Sequence, residues 1–330
     1  MPLMTLARVS AVCALALGTA IVAVPNTASA ETLIRLAHTL NPTDARHIGA
    51  ERFEELVEDR SGGEIQVEVY PSSQLGGQSE IFEGMTLGLI EMNIAGSTHL
   101  SRLEPAFGVF DLPSLAPDEA SFMEILDGDI GQSLLDMLPE VGIRGLGYSE
   151  VGFRHLYTNK PVEGIEDIDG LVVRVPGNPV YQDTLATFGA DPTSMALGEV
   201  FTALQQGAIE GAENLLSFYK NSGHWEAAPY VALTYHAALP SVWMISDSFY
   251  QSLSPEDQEL IKAAASEAAM YEREVSAEMT IAAMQELPGL GVTITEVDLA
   301  PFADLAPQVH ERHRERIGED LMSSVDAAMN

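Results

Sequence analysis

The chain switches repeatedly between two hydrophobic periods. "TLIRLAHTL" (32–40) alternates apolar and polar side chains, the two-residue period of a strand. "DARHIGAERFEELVEDRSGG" (44–63) then spaces its apolar residues as a helix does and stops at a glycine pair, and "EIQVEVYP" (64–71) alternates again. Strand, helix, strand predicts a βαβ unit. The rhythm continues through "QSEIFEGMTLGLI", "EMNIAG", the helical "DEASFMEILDGDIGQSLLDMLPEVG" and the strand-like "GIRGLGYSEVGFRHLYTN". A second round follows in "GLVVRVPG", the helical "NPVYQDTLATFGA" and "LGEVFTALQQG", and the strand-like "AIEGAENLL". Two α/β lobes are therefore expected, with lobe I in 31–151 and 240–279 and lobe II in 152–239 and 280–330. From Pro255 to Leu287 no glycine or proline intervenes. At 1.5 Å per residue such a helix approaches 50 Å, long enough to brace both lobes. The end, from Phe302, reads as a further helical segment interrupted by Pro307 and Gly318. Two lobes leave a cleft between them, where small ligands usually sit.

Residues 1–30 stand apart. One cation, Arg8, precedes an apolar run from Val9 to Val24, and Ala28-Ser29-Ala30 forms a small-x-small cleavage site. This pattern predicts a secretory leader removed after Ala30, since the run is shorter than the ~20 residues of a membrane span. The single cysteine, Cys13, leaves with it, so no disulfide, thiol nucleophile or cysteine-metal site is available to the rest.

Charge narrows the partners. The chain carries 16 Lys+Arg against 49 Asp+Glu, a formal net charge of −33, and only three lysines. Such a surface repels nucleic-acid phosphates and anionic headgroups, which excludes nucleic acid and direct membrane insertion as expectations. An acidic, lysine-poor surface suits salty surroundings, where screening shortens self-repulsion. Any anion-binding cleft here must be a local positive island.

A search for catalytic parts finds none that holds. His310 and His313 sit at i and i+3, but Arg312, Arg314 and Arg316 crowd them, so a metal site is not expected. "GLGYSEVG" (145–152) begins like a dinucleotide loop and fails at Glu150. No nucleophile elbow, Walker sequence or zinc-protease motif occurs, and neither an enzyme nor a cofactor is expected. What remains are Arg154 in "VGFRHLYTN" and Arg174 in "VVRVPG", each in an apolar, strand-like setting. A guanidinium cannot shed its charge, so one that is partly buried needs an anion. That anion is either an internal carboxylate or, for two arginines expected on neighbouring strands, a shared external one.

At this point the residues resemble a family. "VEVYPSSQLGGQSEIFEGMTLGLIEM", "VFDLPSL", "GLVVRVPGNPVY", "FGADPTSMALGEVFTALQQGAIEGAEN" and "SLSPEDQELIKAAASEA" look like solute receptors of the tripartite ATP-independent periplasmic (TRAP) transporters, the DctP family, over essentially all of the chain after the leader. The resemblance implies a two-lobe periplasmic binding protein fold with a long helix across both lobes, closing on a small carboxylate by a hinge. It also implies delivery to a two-part membrane permease driven by sodium, with no catalysis. Arg174 falls on the family's "RVP" arginine that grips the substrate carboxylate, Arg154 on its "GFR" arginine and Asn214 on the asparagine ending "GAEN". Glu213 resembles the acid that holds the main arginine, so Arg174 is expected on Glu213 in the empty protein.

For the ligand, Gly96 and His99 stand where sialic acid receptors carry a glutamate and an arginine. "AENLLSFYKNSGHWE" looks more like receptors for sugar acids, especially hexuronates, with His38 and Gln78 as hydroxyl contacts. Trp225 and Trp243 could stack on a sugar face, although packing is favoured for both. C4-dicarboxylates, 2-oxo acids, hydroxy acids and a sensory role of the same fold stay open.

Overall fold

The computed structural model describes residues 32–116, 118–149 and 152–328; the expected leader and its cleavage site lie outside them. Two sheets organise the chain. The first collects β1 (Thr32–Ala37), β2 (Ile65–Tyr70), β3 (Met92–Gly96), β4 (Ile143–Ser149) and β10 (Ser241–Ser246) in the order β2-β1-β3-β10-β4. The second collects β5 (Phe153–Thr158), β6 (Val172–Val175), β7 (Asp191–Ser194), β8 (Gly211–Asn214), β9 (Tyr230–Ala238) and β11 (Thr293–Glu296) in the order β11-β9-β5-β8-β6-β7. In the first sheet β10 runs antiparallel between β3 and β4, and in the second β5 runs antiparallel to both β8 and β9. The fold is thus α/β and two-lobed, as the alternating periods predict.

Helices cover the sheets: α1 (Ala45–Arg60), α2 (Gln78–Thr86), α3 (Glu119–Asp127), α4 (Asp129–Met137), α5 (Pro179–Thr187), α6 (Val200–Gln205), α7 (Leu216–Asn221), α8 (Asp247–Ser252), α9 (Pro255–Glu286), α10 (Ala300–Ile317) and α11 (Glu319–Ala328). Local chemistry sets several starts. The Asp44 carboxylate accepts from Arg46 N and caps α1, and the Asn178 side chain accepts from Val180 N and Tyr181 N and caps α5. Ser254 caps α9 by accepting from Asp257 N, with Pro255 at the first helical position, where its missing N–H costs nothing. The predicted break at Pro307 does not occur. Helix α10 runs through it, and the chain turns only at Gly318, whose φ of 114° a side chain would resist.

Helix α9 is rooted in both cores. Ile261, Ala264, Ala265, Ala268 and Ala269 pack with Ile34, Phe53, Trp243 and Ile245 of the first sheet's side. Near its other end, the same helix places Ala283 among Val200, Leu216 and Val231 of the second sheet's side. Helix α10 also touches both: Phe302 packs with Val173 and Phe188 of the second sheet's side, whereas Val309 and Ile317, with Met322 and Val325 of α11, pack with Phe107, Phe110 and Leu134. Both tryptophans pack rather than face a cleft. Trp243 is fully buried and donates from its indole to Ser149 Oγ and Glu272 Oε2, each at 3.0 Å, and Trp225 lies against the core beneath α7.

Small residues set the spacing of α9. A Cβ on Gly49 of α1 would lie 2.9 Å from Glu272 Cβ, closer than carbon atoms approach. Helix propensity alone makes Gly49→Ala stabilising by about 1 kcal/mol. The close approach reverses that sign, and overpacking of this kind costs about 1–3 kcal/mol. Urea unfolding is expected to find Gly49→Ala less stable than the native chain; a gain would mean that α1 and α9 can part freely here.

Candidate functional site

The chain passes between the sheets at the β4–β5 and β9–β10 connections, which are tied by Leu239 N to Gly152 O at 2.9 Å, and Ser97 N, just after β3, donates to Pro240 O of the second connection at 2.8 Å. Beside these crossings opens a cavity of about 790 Å³. From the sequence-predicted set it brings together Arg154, Arg174, Asn214 and Gln78. A cavity of similar size, about 780 Å³, lies between α3, α4 and α11, but Glu124, Asp129 and Asp320 line it without a cation. That wall is unsuited to an anion.

Strand order decides how the charges pair. β8 lies between β5 and β6, so Arg154 and Arg174 are not on neighbouring strands as expected; they flank β8. Arg174 is registered opposite Ala212 on β8, and side chains opposite each other share a face. Glu213, the next residue, therefore points to the other face, where Leu156 of β5 is its partner in register and Arg154 lies two residues away. The expectation that Glu213 holds Arg174 is corrected on this ground. Glu213 instead grips Arg154: Nη2 donates to Oε1 at 2.8 Å, Nε donates to Oε2, and Nη2 also reaches the Glu213 carbonyl at 2.8 Å. Nη1 donates to Asn214 Oδ1 at 3.2 Å, and the guanidinium lies over the Tyr181 ring, 5.1 Å from its centroid. Both partners are buried. Burial opposes either charge, yet Arg154 pulls the Glu213 carboxyl down to about 2, and Glu213 in turn raises Arg154. His236 Nε2 stands 3.4 Å from Glu213 on the remaining side.

Arg174 has a different environment. Its Nε and Nη2 both donate to the Met195 carbonyl, at 3.1 and 2.9 Å, and no carboxylate among the described residues pairs with it. Burial lowers its pKa, against the attraction of the more distant Glu213. A charge so placed, buried and at a cavity wall with only a neutral partner, is satisfied best by an anion entering the cavity.

Two other expectations meet the structure differently. Gln78 opens α2 at the cavity and donates to Asn93 Oδ1 at 2.7 Å. His38 does not line the cavity. It lies just past β1, wholly buried, with Nε2 3.1 Å from His47 Nδ1, because the loop after β1 folds inward under α1. Sequence reasoning also missed groups that do line the cavity: Arg46 and Arg102, Phe201 and Phe218, and His224. Phe201 stacks on His224, with centroids 6.3 Å apart and planes at 21°. These aromatics, not the tryptophans, line the cavity. His310 and His313 turn to separate partners, the Pro113 carbonyl and Asp183, and among the described residues no group of three or more His, Cys, Asp or Glu is placed to hold a metal.

The comparisons with known proteins now decide the family. The profile of bacterial extracellular solute-binding protein family 7 (DctP) matches residues 36–316. This chain belongs to the DctP family. It is a TRAP solute-binding protein. The 2,3-diketo-L-gulonate-binding periplasmic protein of Escherichia coli is 31% identical over 298 residues, covering 89% of this chain and 91% of the relative. A TRAP solute-binding protein from Pseudomonas putida, crystallised with D-glucuronate, is 31% identical with a TM-score of 0.85 and covers 89% of this chain and 97% of that one. A sugar acid binding protein from Advenella mimigardefordensis, in complex with galactonate, is 29% identical with a TM-score of 0.86 and covers 90% and 97%. DctP-family proteins are periplasmic, and among the described residues no helix is long and apolar enough to cross a membrane.

Two outcomes follow from the receptor's buried charges. Removing one member of a buried ion pair leaves the other uncompensated and costs about 3–5 kcal/mol. Glu213→Ala is expected to lower unfolding stability by that amount in urea titrations; native stability would mean that Arg154 finds another acceptor. The second outcome concerns pH. Burial first, and then neighbouring cations or histidines, depress His38, His99 and His155 from 6.5 to about 3 and His224 to about 4. The unfolded chain takes up these protons near pH 6.5 while the folded chain does not, so the stability they contribute is present above 6.5 and lost as pH falls. Asp111 acts oppositely: burial raises it from 3.8 to about 7, so its contribution is present below 3.8 and lost as pH rises. Four groups outweigh one. Thermal melts at pH 7, 6 and 5 should show a falling midpoint, and Asp111→Asn should make the fall steeper.

Proposed function

We propose that this TRAP solute-binding protein captures a sugar acid, of the hexuronate or aldonate class, by seating its carboxylate on Arg174. The observation that carries the reading is the buried Arg174 guanidinium, which faces the cavity with the Met195 carbonyl as its partner. A guanidinium fork meets a carboxylate through two parallel N–H···O bonds; with Nε and Nη2 on the Met195 carbonyl, the Nη1–Nη2 edge is the one that remains to supply them. Arg154 and Asn214 add a second polar contact, with Glu213 fixing Arg154 in place from behind. Support for a sugar acid comes from relatives of the same family whose crystals hold D-glucuronate, β-D-galacturonate and galactonate. Polar groups at the wall, Gln78, His99 and His224, offer partners for ring hydroxyls, and Phe201 and Phe218 offer an apolar face.

In this reading the protein acts by binding and not by catalysis. After export and removal of residues 1–30, lobe I (31–151 with 240–279) and lobe II (152–239 with 280–330) close on the acid. The loaded form docks on the small and large membrane subunits of a TRAP permease.

Charge-assisted hydrogen bonds contribute about 1.5–3 kcal/mol each, and two are at stake at Arg174. Calorimetry with D-glucuronate, D-galacturonate and galactonate should therefore find at least one ligand whose dissociation constant rises a hundredfold or more in Arg174→Ala. Arg174→Lys keeps the charge, loses the fork and should fall between. Native affinity in the alanine variant would remove Arg174 from the site, and no binding of any of the three by the native protein would remove the ligand class.

A further inference from the structure

The cavity gathers four of the chain's sixteen cations, although the chain as a whole carries a formal charge of −33. Arg154 and Arg174 come from the second sheet; Arg46 comes from the first turn of α1, and Arg102 from the 3₁₀ turn Ser97–Arg102 that follows β3. Their pairings differ. Arg154 is matched by Glu213, and Arg174 is matched, in the reading above, by the ligand's carboxylate. Arg46 follows Asp44, whose carboxylate caps α1 through Arg46 N, and it has further contacts of its own.

Arg102 is left over. No hydrogen bond or ion pair among the described residues engages its guanidinium, and it is exposed at the cavity wall. It reaches across to the turn just beyond β6: Nη1 lies 3.9 Å from where a side chain on Gly177 would begin, three residues after Arg174. The carboxylates of the same wall do not answer it. Asp44 is occupied at its helix start, and Glu80 folds back over Gly76 and Gly77 at the start of α2. His99, on the same 3₁₀ turn, adds no charge. Burial and the four surrounding guanidinium groups push it to about 3, so it is neutral at any pH near 7.

One carboxylate on Arg174 therefore leaves a second positive charge facing the same space. We propose that the ligand carries two carboxylates, the second taken by Arg102, so that the receptor prefers a sugar diacid to the matching aldonate. The proposal rests on Arg174 as the first carboxylate's seat and deepens that reading. An aldarate and the aldonate of the same configuration are both open chains and differ only at the last carbon, a carboxylate in the first and a hydroxymethyl group in the second, whereas a uronate also closes to a ring. The aldarate and aldonate pair isolates the second charge.

The test is calorimetry of the purified protein with glucarate against gluconate and galactarate against galactonate, for the native chain and for Arg102→Gln. In at least one pair the diacid should bind ten times more tightly or better, and Arg102→Gln should compress that ratio to within threefold. Arg102→Lys should retain an intermediate ratio. An aldonate that binds as well as its diacid overturns the proposal and leaves the sugar-acid reading standing. A ratio unchanged in Arg102→Gln also overturns it, since Arg102 would then act on all ligands alike. If neither member of either pair binds, this proposal is overturned, and the uronate titrations decide the sugar-acid reading separately.

Discussion

An arginine cannot be neutralised by surrendering its proton, so a fold that buries one must supply a negative charge or leave the group at a cavity where one can arrive. This receptor does both, on two sides of one four-residue strand. β8 lies between the strands that carry Arg154 and Arg174, and the alternation of its side chains gives Glu213 to the first and only Ala212 to the second. The same alternation that makes a sheet half-buried here separates a buried ion pair from a guanidinium left at the cavity wall.

The rest of the architecture keeps that arrangement in register. The ends of β5, β6 and β8 meet the cavity because two chain crossings, joined by backbone hydrogen bonds near Gly152 and Leu239, bring the first sheet's loops against them. Helix α9 then anchors in both cores through alanines small enough to let it lie directly on α1. In a chain with so few cations the result is a positive cleft in an acidic body, a contrast that favours a small anion over other surfaces of the same molecule.

Much of this was legible from the chain alone, for reasons that differ residue by residue. Arg154 and Arg174 stood out because apolar, strand-like neighbours make a charge conspicuous. The long helix was legible because thirty-odd residues without glycine or proline leave few alternatives. The partner of Glu213 was not legible, because pairing depends on which strand lies between which, and the order β5-β8-β6 is a tertiary fact. His38 was misplaced for a related reason: a polar residue at a strand end is ambiguous until the following loop is seen to fold inward. β7 has the sequence "DPTS", which carries no strand period, and it pairs with β6 only because the sheet edge is there to receive it. Arg46 and Arg102 read as ordinary charges beside helical segments, and only three-dimensional placement puts them at the cavity.

Asn178 joins parts of the chain that the strand order would keep separate. Its Oδ1 caps α5, while its Nδ2 lies 2.7 Å from Asp111 Oδ2, 2.8 Å from Thr98 Oγ1 and 3.0 Å from Ser101 Oγ, all from the segment that follows the first sheet. The start of α5 is thereby fastened to the opposite lobe, although its own strand, β6, belongs to the second sheet. Tyr181, one turn into α5, forms the floor under Arg154. A rotation of one lobe against the other would have to carry that floor with it or break the amide's contacts, so the seam between the lobes and the stacking against Arg154 form one mechanical linkage.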